Sequence, residues 1–183
     1  MSIQVLESDI VYRGRAYSVR RDRVRLANGH ETSIEVVVHA GAVTLVPIDD
    51  KGQFVFVRQY RHSVGSMLLE LPAGTLEPGE APQVCAEREC REEIGMAPAH
   101  LDHLGECFLA PGYSTEYMHF YLARDLTPAP LQADSDEDIT VERVSPDHVD
   151  SLIASGQLRD AKSLAALYLA RRWLEAEPGP GSL

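Results

Sequence analysis

Residues 74–96 read GTLEPGEAPQVCAERECREEIGM and carry the strongest local signal in the chain. Pro78 and Gly79 break the backbone, and helix formers dominate residues 82–93. Pro82 suits a first helical turn, where its missing N–H costs nothing. Gly95 suits the position just past the end, where a left-handed backbone is easiest for glycine. The spacing predicts a helix over 82–93. On that helix Glu89, Glu92 and Glu93 stand at i, i+3 and i+4 and share a face. Like charges so placed destabilise a helix by roughly 0.2–0.5 kcal/mol per pair. They also crowd the negative end of the helix dipole. A hard divalent cation reverses both penalties, because Mg²⁺ favours carboxylate oxygen and completes its shell with water and substrate phosphates. Taken alone, such a pattern is more often a solvated acidic face.

Outward from this helix the chain alternates strands and turns. In the first forty residues AYSVRRDRVRL and ETSIEVVVH alternate apolar and polar positions around an Asn28-Gly29 turn, which predicts short antiparallel strands. Residues 42–48 and 53–60 are more continuously apolar, as central strands are, and are joined by a DDKG turn. Beyond the helix, 103–109 and 117–123 read as strands separated by APGYSTE. The acidic TPAPLQADSDED reads as a loop, and ITVERVS as a short strand. SPDHVDSLIASG carries a Ser145 cap and a terminal glycine, the marks of a helix. DAKSLAALYLARRWLEAE is an amphipathic helix, and EPGPGSL reads as a frayed tail. The sum is a mixed sheet with helices packed on it, preceded by an antiparallel piece.

Bulk properties exclude several classes. The 183 residues are 44 % hydrophobic and 25 % charged, ordinary for one globular domain with a small accessory piece. A formal net charge of −11 argues against a nucleic-acid polymer as main partner. No apolar run approaches the ~18 residues that span a bilayer. The N-terminus has no signal-peptide pattern. The odd set Cys85, Cys90 and Cys107 forms no CxxC pair and fits a reducing, cytoplasmic setting.

Gly74 is followed, after five residues, by Glu80 and, after seven more, by Arg88-Glu89, apolar Cys90, Glu92-Glu93, Gly95 and apolar Met96. This resembles the signature of the Nudix hydrolases at every fixed identity, with Cys90 where a larger aliphatic is commoner. The resemblance implies an α/β fold, a Nudix α/β/α sandwich with a mixed sheet. An N-terminal antiparallel β subdomain over 1–40, the catalytic domain over 41–176 and a tail over 177–183 complete the expected organisation. It implies a Mg²⁺ site, with Mn²⁺ as substitute, on Glu89, Glu92 and Glu93 and the backbone carbonyl of Ala73. Arg88 would hold the carboxylates in place, and Gly74 and Gly95 would answer backbone requirements.

Outside the box, RQYRH (58–62), LELPAG (69–74) and APGYSTE (110–116) resemble the ADP-ribose pyrophosphatase branch. In that branch a proline lies sixteen positions beyond the closing glycine, and Pro111 stands sixteen past Gly95. Branches specific for dinucleoside polyphosphates carry a tyrosine there, and Tyr113 comes two residues later. The resemblance implies that Arg61 meets the substrate phosphates, although the residue alone reads equally as a surface arginine. Glu70 would contact the adenosine part or simply close a strand, and Glu116 would serve the terminal ribose. Glu137, in the acidic loop, would be the general base. Residues 11–39 resemble strands that pair two subunits, implying a homodimer.

The expected activity is Mg²⁺-dependent hydrolysis of ADP-ribose to AMP and ribose 5-phosphate. The alternatives are another nucleoside diphosphate sugar as substrate, or a Nudix-fold sensor that binds ADP-ribose without turnover. Arg20, Arg21, Arg23 and Arg25 suit a wet strand face and equally a lining for anionic substrate across a dimer; the sequence leaves both open. The seven histidines show no HxxxH or HExxH spacing, so they read as surface or core residues. Cys107, Tyr168 and Trp173 read as core.

Overall fold

The computed structural model describes residues 2–132 and 138–176. Two compact units emerge, one comprising Met1–Gly41 with Cys107–Tyr117, the other Ala42–Glu106 with Met118–Leu183.

In the first unit, alternation produces a three-stranded antiparallel sheet of β1 (Gln4–Arg13), β2 (Ser18–Arg25) and β3 (Glu31–Val38), in that order. Gly29 turns the chain at φ 82°, with its N–H on the Leu26 carbonyl at 2.9 Å. The β2 arginines are matched by carboxylates within the sheet. Arg21 meets Glu35 at 2.9 Å, Arg23 meets Glu7 and Glu31, Arg25 meets Glu31 at 2.7 Å, and Arg20 meets Asp22 at 3.0 Å. The cross-strand pairs of Arg21, Arg23 and Arg25 are what a wet face offers a row of guanidiniums, whereas Arg20 and Asp22 lie on the same strand. Segment Cys107–Tyr117 joins this unit through the Val37 N–H on the Tyr113 carbonyl (2.8 Å) and the Thr115 N–H on the Val37 carbonyl (2.9 Å).

The second unit is built around β4 (Ala42–Pro47), whose every residue is buried. β4 runs antiparallel to the short β7 (Ala73–Thr75) and parallel to β9 (Tyr117–Pro128), with β8 (Met96–Phe108) beyond, giving a mixed sheet of order β7-β4-β9-β8. A second sheet, β10-β5-β6, is antiparallel, from β5 (Phe54–Arg61), β6 (Ser66–Glu70) and β10 (Ile139–Val144). The expected mixed sheet is present, and a second, antiparallel sheet accompanies it. Asp49 Oδ1 accepts from the N–H groups of Lys51 (2.9 Å) and Gln53 (2.8 Å), and Gly52 turns at φ 72°. After one bridge, Ile48 to Phe54, β5 leaves β4 and pairs with β6 and β10 instead.

Helix α1 (Pro82–Glu93) matches its expected bounds and packs on β4 and β7. Its apolar side, Cys85, Ala86 and Cys90, joins Val43, Leu45, Val55, Val57, Ile94, Tyr121 and Ala123 in one cluster. Helix α3 (Ala161–Ala176) also packs on β4, burying Ala166, Leu167 and Ala170. Asp160 caps it, its Oδ2 accepting from the Ser163 N–H (3.0 Å) and Oγ–H (2.6 Å). The Ser163 Oγ in turn accepts from the Leu71 N–H at 2.7 Å, tying α3 to the chain just before β7.

Several local expectations change. Ser145 stands at the N-cap of α2 (Pro146–Ala154), but its side chain makes no capping hydrogen bond. Strands β8 and β9 extend beyond the apolar runs that signalled them, because much of β8 is only partly covered and its polar residues mask the alternation. Tyr168 is 66 % exposed rather than core, and Cys107 is half-buried. Trp173 is half-buried under the Arg124 guanidinium, 4.8 Å from its ring centre. Among the described residues no helix is long and apolar enough to cross a membrane.

Candidate active site

Burying carboxylates costs free energy unless each finds a positive or hydrogen-bonding partner. The α1 glutamates find one in Arg88. Its Nη1 donates to Glu89 Oε1 at 2.7 Å and to Glu92 Oε2 at 2.8 Å. Its Nε and Nη2 fork onto the two oxygens of Glu80, both at 2.9 Å, and Nη2 also reaches the Thr75 carbonyl at 3.2 Å. One guanidinium thus binds three carboxylates and the backbone of β7. The hydrogen bonds to Glu80 are the main reason that Arg88 is held even more firmly protonated than usual. They likewise outweigh burial and hold the Glu80 carboxyl down at about 2, from an ordinary 4.5.

Glu89 and Glu93 are nearly covered, at 7 % and 6 % exposure, whereas Glu92 is half-buried. Glu93 Oε2 accepts from the Ala73 N–H at 3.0 Å. The Ala73 backbone therefore already addresses the cluster through its N–H. Glu89 lies so close against Gly74 that a Cβ there would fall inside its carboxylate. The glycine at 74 answers a close approach, while Gly95, at φ 71°, answers a left-handed backbone. Burial pushes up the thiols of Cys85 and Cys90, the latter to about 12, so both pack as small apolar groups.

Beside the cluster, the Glu70 carboxylate is 1 % exposed and fully engaged by cations. Arg61 Nε and Nη2 donate to its two oxygens at 2.9 and 2.7 Å, and Lys162 Nζ donates to Oε2. Burial pushes Glu70 upward, but Arg61 and Lys162 together bring it below the ordinary carboxylate range. Arg61 is held protonated first by its hydrogen bond to Glu70, with the fields of Glu70, Glu93 and Asp160 adding to this. Arg61, Glu70 and Glu93 therefore share one electrostatic neighbourhood. Pro111 is exposed and Glu116 half-buried, with its N–H on Ser114 Oγ at 3.1 Å; both belong to the first unit. Glu137 lies outside the described residues.

Sequence reasoning assigned no chemistry to Glu80, Lys162 or Ser163. Glu80 was visible as a fixed motif position, but that Arg88 forks onto it depends on the loop folding back over α1. For Lys162 no local signal existed, since Glu70 and Lys162 meet only when α3 reaches β6.

The donor set suits a hard divalent cation. Three carboxylates surround one guanidinium, leaving local negative charge, and every candidate ligand is oxygen. Glu89, Glu92 and Glu93 are the side chains that would hold it.

The NUDIX domain family matches residues 38–167, and the chain belongs to that family. It is a Nudix hydrolase. It is 42 % identical over 124 residues to an ADP-ribose pyrophosphatase of Mycobacterium tuberculosis, covering 67 % of this chain and 60 % of that protein. It is 31 % identical over 166 residues to an ADP-ribose pyrophosphatase of Bacillus subtilis, covering 90 % of each. A crystal structure of an ADP compounds hydrolase superposes with a TM-score of 0.86 at 28 % identity, covering 96 % of this chain and 95 % of that one.

Two outcomes follow from this geometry. Gly74→Ala is expected to destabilise the protein by about 1–3 kcal/mol in urea unfolding, the usual cost of overpacking; an unchanged midpoint would mean that Glu89 swings aside freely. The depressed Glu80 pKa stabilises the fold fully above its unfolded value of 4.5, and this contribution fades as pH falls toward about 2. Glu80→Gln should therefore unfold at lower urea than wild type at pH 7, with the gap closing below pH 4.5. A gap independent of pH would refute the role assigned to the Arg88 fork.

Proposed function

We propose that the protein hydrolyses ADP-ribose to AMP and ribose 5-phosphate, using Mg²⁺ with Mn²⁺ as a substitute. The observation that carries this reading is the cluster of Glu89 and Glu92, held by Arg88, and Glu93, held by the Ala73 N–H, with Glu89 and Glu93 buried, beside a second fixed cation at Arg61. Bound there by Glu89, Glu92 and Glu93, a divalent cation would neutralise diphosphate oxygens and lower the pKa of a water. Arg88 sets the position of Glu89 and Glu92, and the Ala73 N–H sets that of Glu93. Arg61 meets the substrate phosphates; Glu70, expected to contact the adenosine part, is buried and taken up by Arg61 and Lys162, and it acts through Arg61 by holding its guanidinium in place. Water adds to one phosphorus, the bridging P–O bond breaks, and the proton passes to a carboxylate, which we assign to Glu137. Pro111 and Glu116 contact the rest of the substrate.

ADP-ribose is favoured by the activities of the relatives and by the position of Pro111. The net charge of −11 disfavours a nucleic-acid polymer as partner, and a small anionic substrate binds where a divalent cation and Arg61 reverse that charge locally. The buried or half-buried free thiols fit a reducing cytoplasm, with no membrane as partner.

The test is AMP release from ADP-ribose with Mg²⁺, beside a panel of nucleoside diphosphate sugars. ADP-ribose should be the preferred substrate, with turnover lost in Glu93→Gln. In Glu137→Gln it should fall by about 10²–10⁴-fold, the usual share of a general base. Preference for another sugar nucleotide would move the substrate. Binding of ADP-ribose without any turnover would make the protein a sensor.

We also propose a homodimer through the first unit. Ile3, Val5, Val11 and Tyr12 are 48–59 % exposed there, apolar side chains that a second copy would cover. Light scattering at micromolar concentration should return twice the chain mass of 20.2 kDa; a monomer mass would sink this proposal.

A further inference from the structure

In the second unit β8 and β9 run antiparallel. The Ala129 N–H donates to the Gly95 carbonyl at 3.0 Å, and Arg124 reaches Asp102 at 2.8 Å. Further along the pair, His119 Nδ1 lies 3.0 Å from Glu106 Oε2. A regular strand would put His103 and Glu106, three residues apart, on opposite faces. Gly105 stands between them at φ 146°, a conformation that side chains rarely adopt, and it breaks the alternation. No crowding dictates this glycine, since a Cβ there would meet nothing nearer than Leu169 at 3.6 Å. The break brings His103 and Glu106 together with His119. One ligand atom from each of the three lies within 4.8 Å of the others. The His103 ring is steadied against Tyr121, centre to centre 5.3 Å.

We propose that His103, Glu106 and His119 form a transition-metal site of the Zn²⁺ type. Two imidazoles and a carboxylate are a known three-ligand set for zinc, with water in the fourth position. Tetrahedral zinc with bonds of about 2.0 Å spaces its ligands roughly 3.3 Å apart, so small side-chain rotations close the set. Imidazole suits Zn²⁺, Ni²⁺ or Cu²⁺, whereas Mg²⁺ takes oxygen. The two clusters therefore select different ions, and this site does not depend on the diphosphatase reading. The competing account is a plain His119–Glu106 hydrogen bond on a partly exposed sheet face.

Zn²⁺ titrated calorimetrically into the purified protein under excess Mg²⁺ decides between them. A single equivalent should bind to wild type and equally to Glu93→Gln. Affinity should fall at least about 100-fold in His119→Ala, beyond the 10–100-fold that losing an outer partner costs. His103→Asn, at an exposed position and safe for folding, should lose the same affinity. Co²⁺ in place of zinc should show a visible d–d band that vanishes in both histidine variants. No zinc binding to wild type, binding retained in His103→Asn, or binding lost in Glu93→Gln would each overturn the site.

Discussion

The fork of Arg88 onto Glu80, Glu89 and Glu92 is the constraint on which the site depends. A single planar guanidinium has five donors in fixed directions, and here they reach two α1 glutamates, one loop glutamate and the β7 backbone. Lysine, with one flexible ammonium, could not hold the same three carboxylates in one geometry. Because Glu80 arrives from the loop ahead of the helix, the fork also sets how the loop folds back over α1. Without a cation, the Glu89, Glu92 and Glu93 face would repel itself; with Arg88 in place it is ordered and still negative.

A second layer of polar contacts carries this order into the core. Asp160 caps α3 and binds Ser163, and Ser163 takes the Leu71 N–H. Lys162, one residue earlier, and Arg61 share Glu70. Between these contacts lies a run of buried backbone from Glu70 to Pro72, leading directly to Ala73 and Gly74. The Ala73 N–H then grips Glu93, and Gly74 leaves room for Glu89. Site geometry is thus anchored on both α1 and α3, with buried, mutually satisfied polar groups as the links. Such networks are rigid because any unpaired member would bear the full penalty of desolvation.

Two kinds of departure from local expectation have one cause. Tyr168 faces solvent and Trp173 lies under Arg124, although helical periodicity placed both toward the core. Periodicity states which residues share a stripe, while the width of the stripe that is covered depends on what packs against it. Likewise the apolar pattern understated β8, whose residues are mostly only partly covered. Patterns are sharpest where burial is complete, as in β4.

From the sequence alone, α1, its two bounding glycines, the shared face of its glutamates and the family were legible, because each rests on spacing along one short segment. Strands β2 and β3 of the first unit were legible for the same reason, through alternation and an Asn-Gly turn, whereas β1 became evident only through its pairing with β2. Only the tertiary structure decided that the second unit has two sheets, since pairing partners are chosen by where a strand goes after its turn. It alone joined Glu70 to Lys162 and Ser163 to Leu71, pairs separated by 92 residues. It alone brought His103 and Glu106 beside His119, which no local spacing of histidines announces. Helical and strand periods act over a few residues, whereas ion pairs and ligand sets form wherever the packed chain brings side chains within a few ångströms.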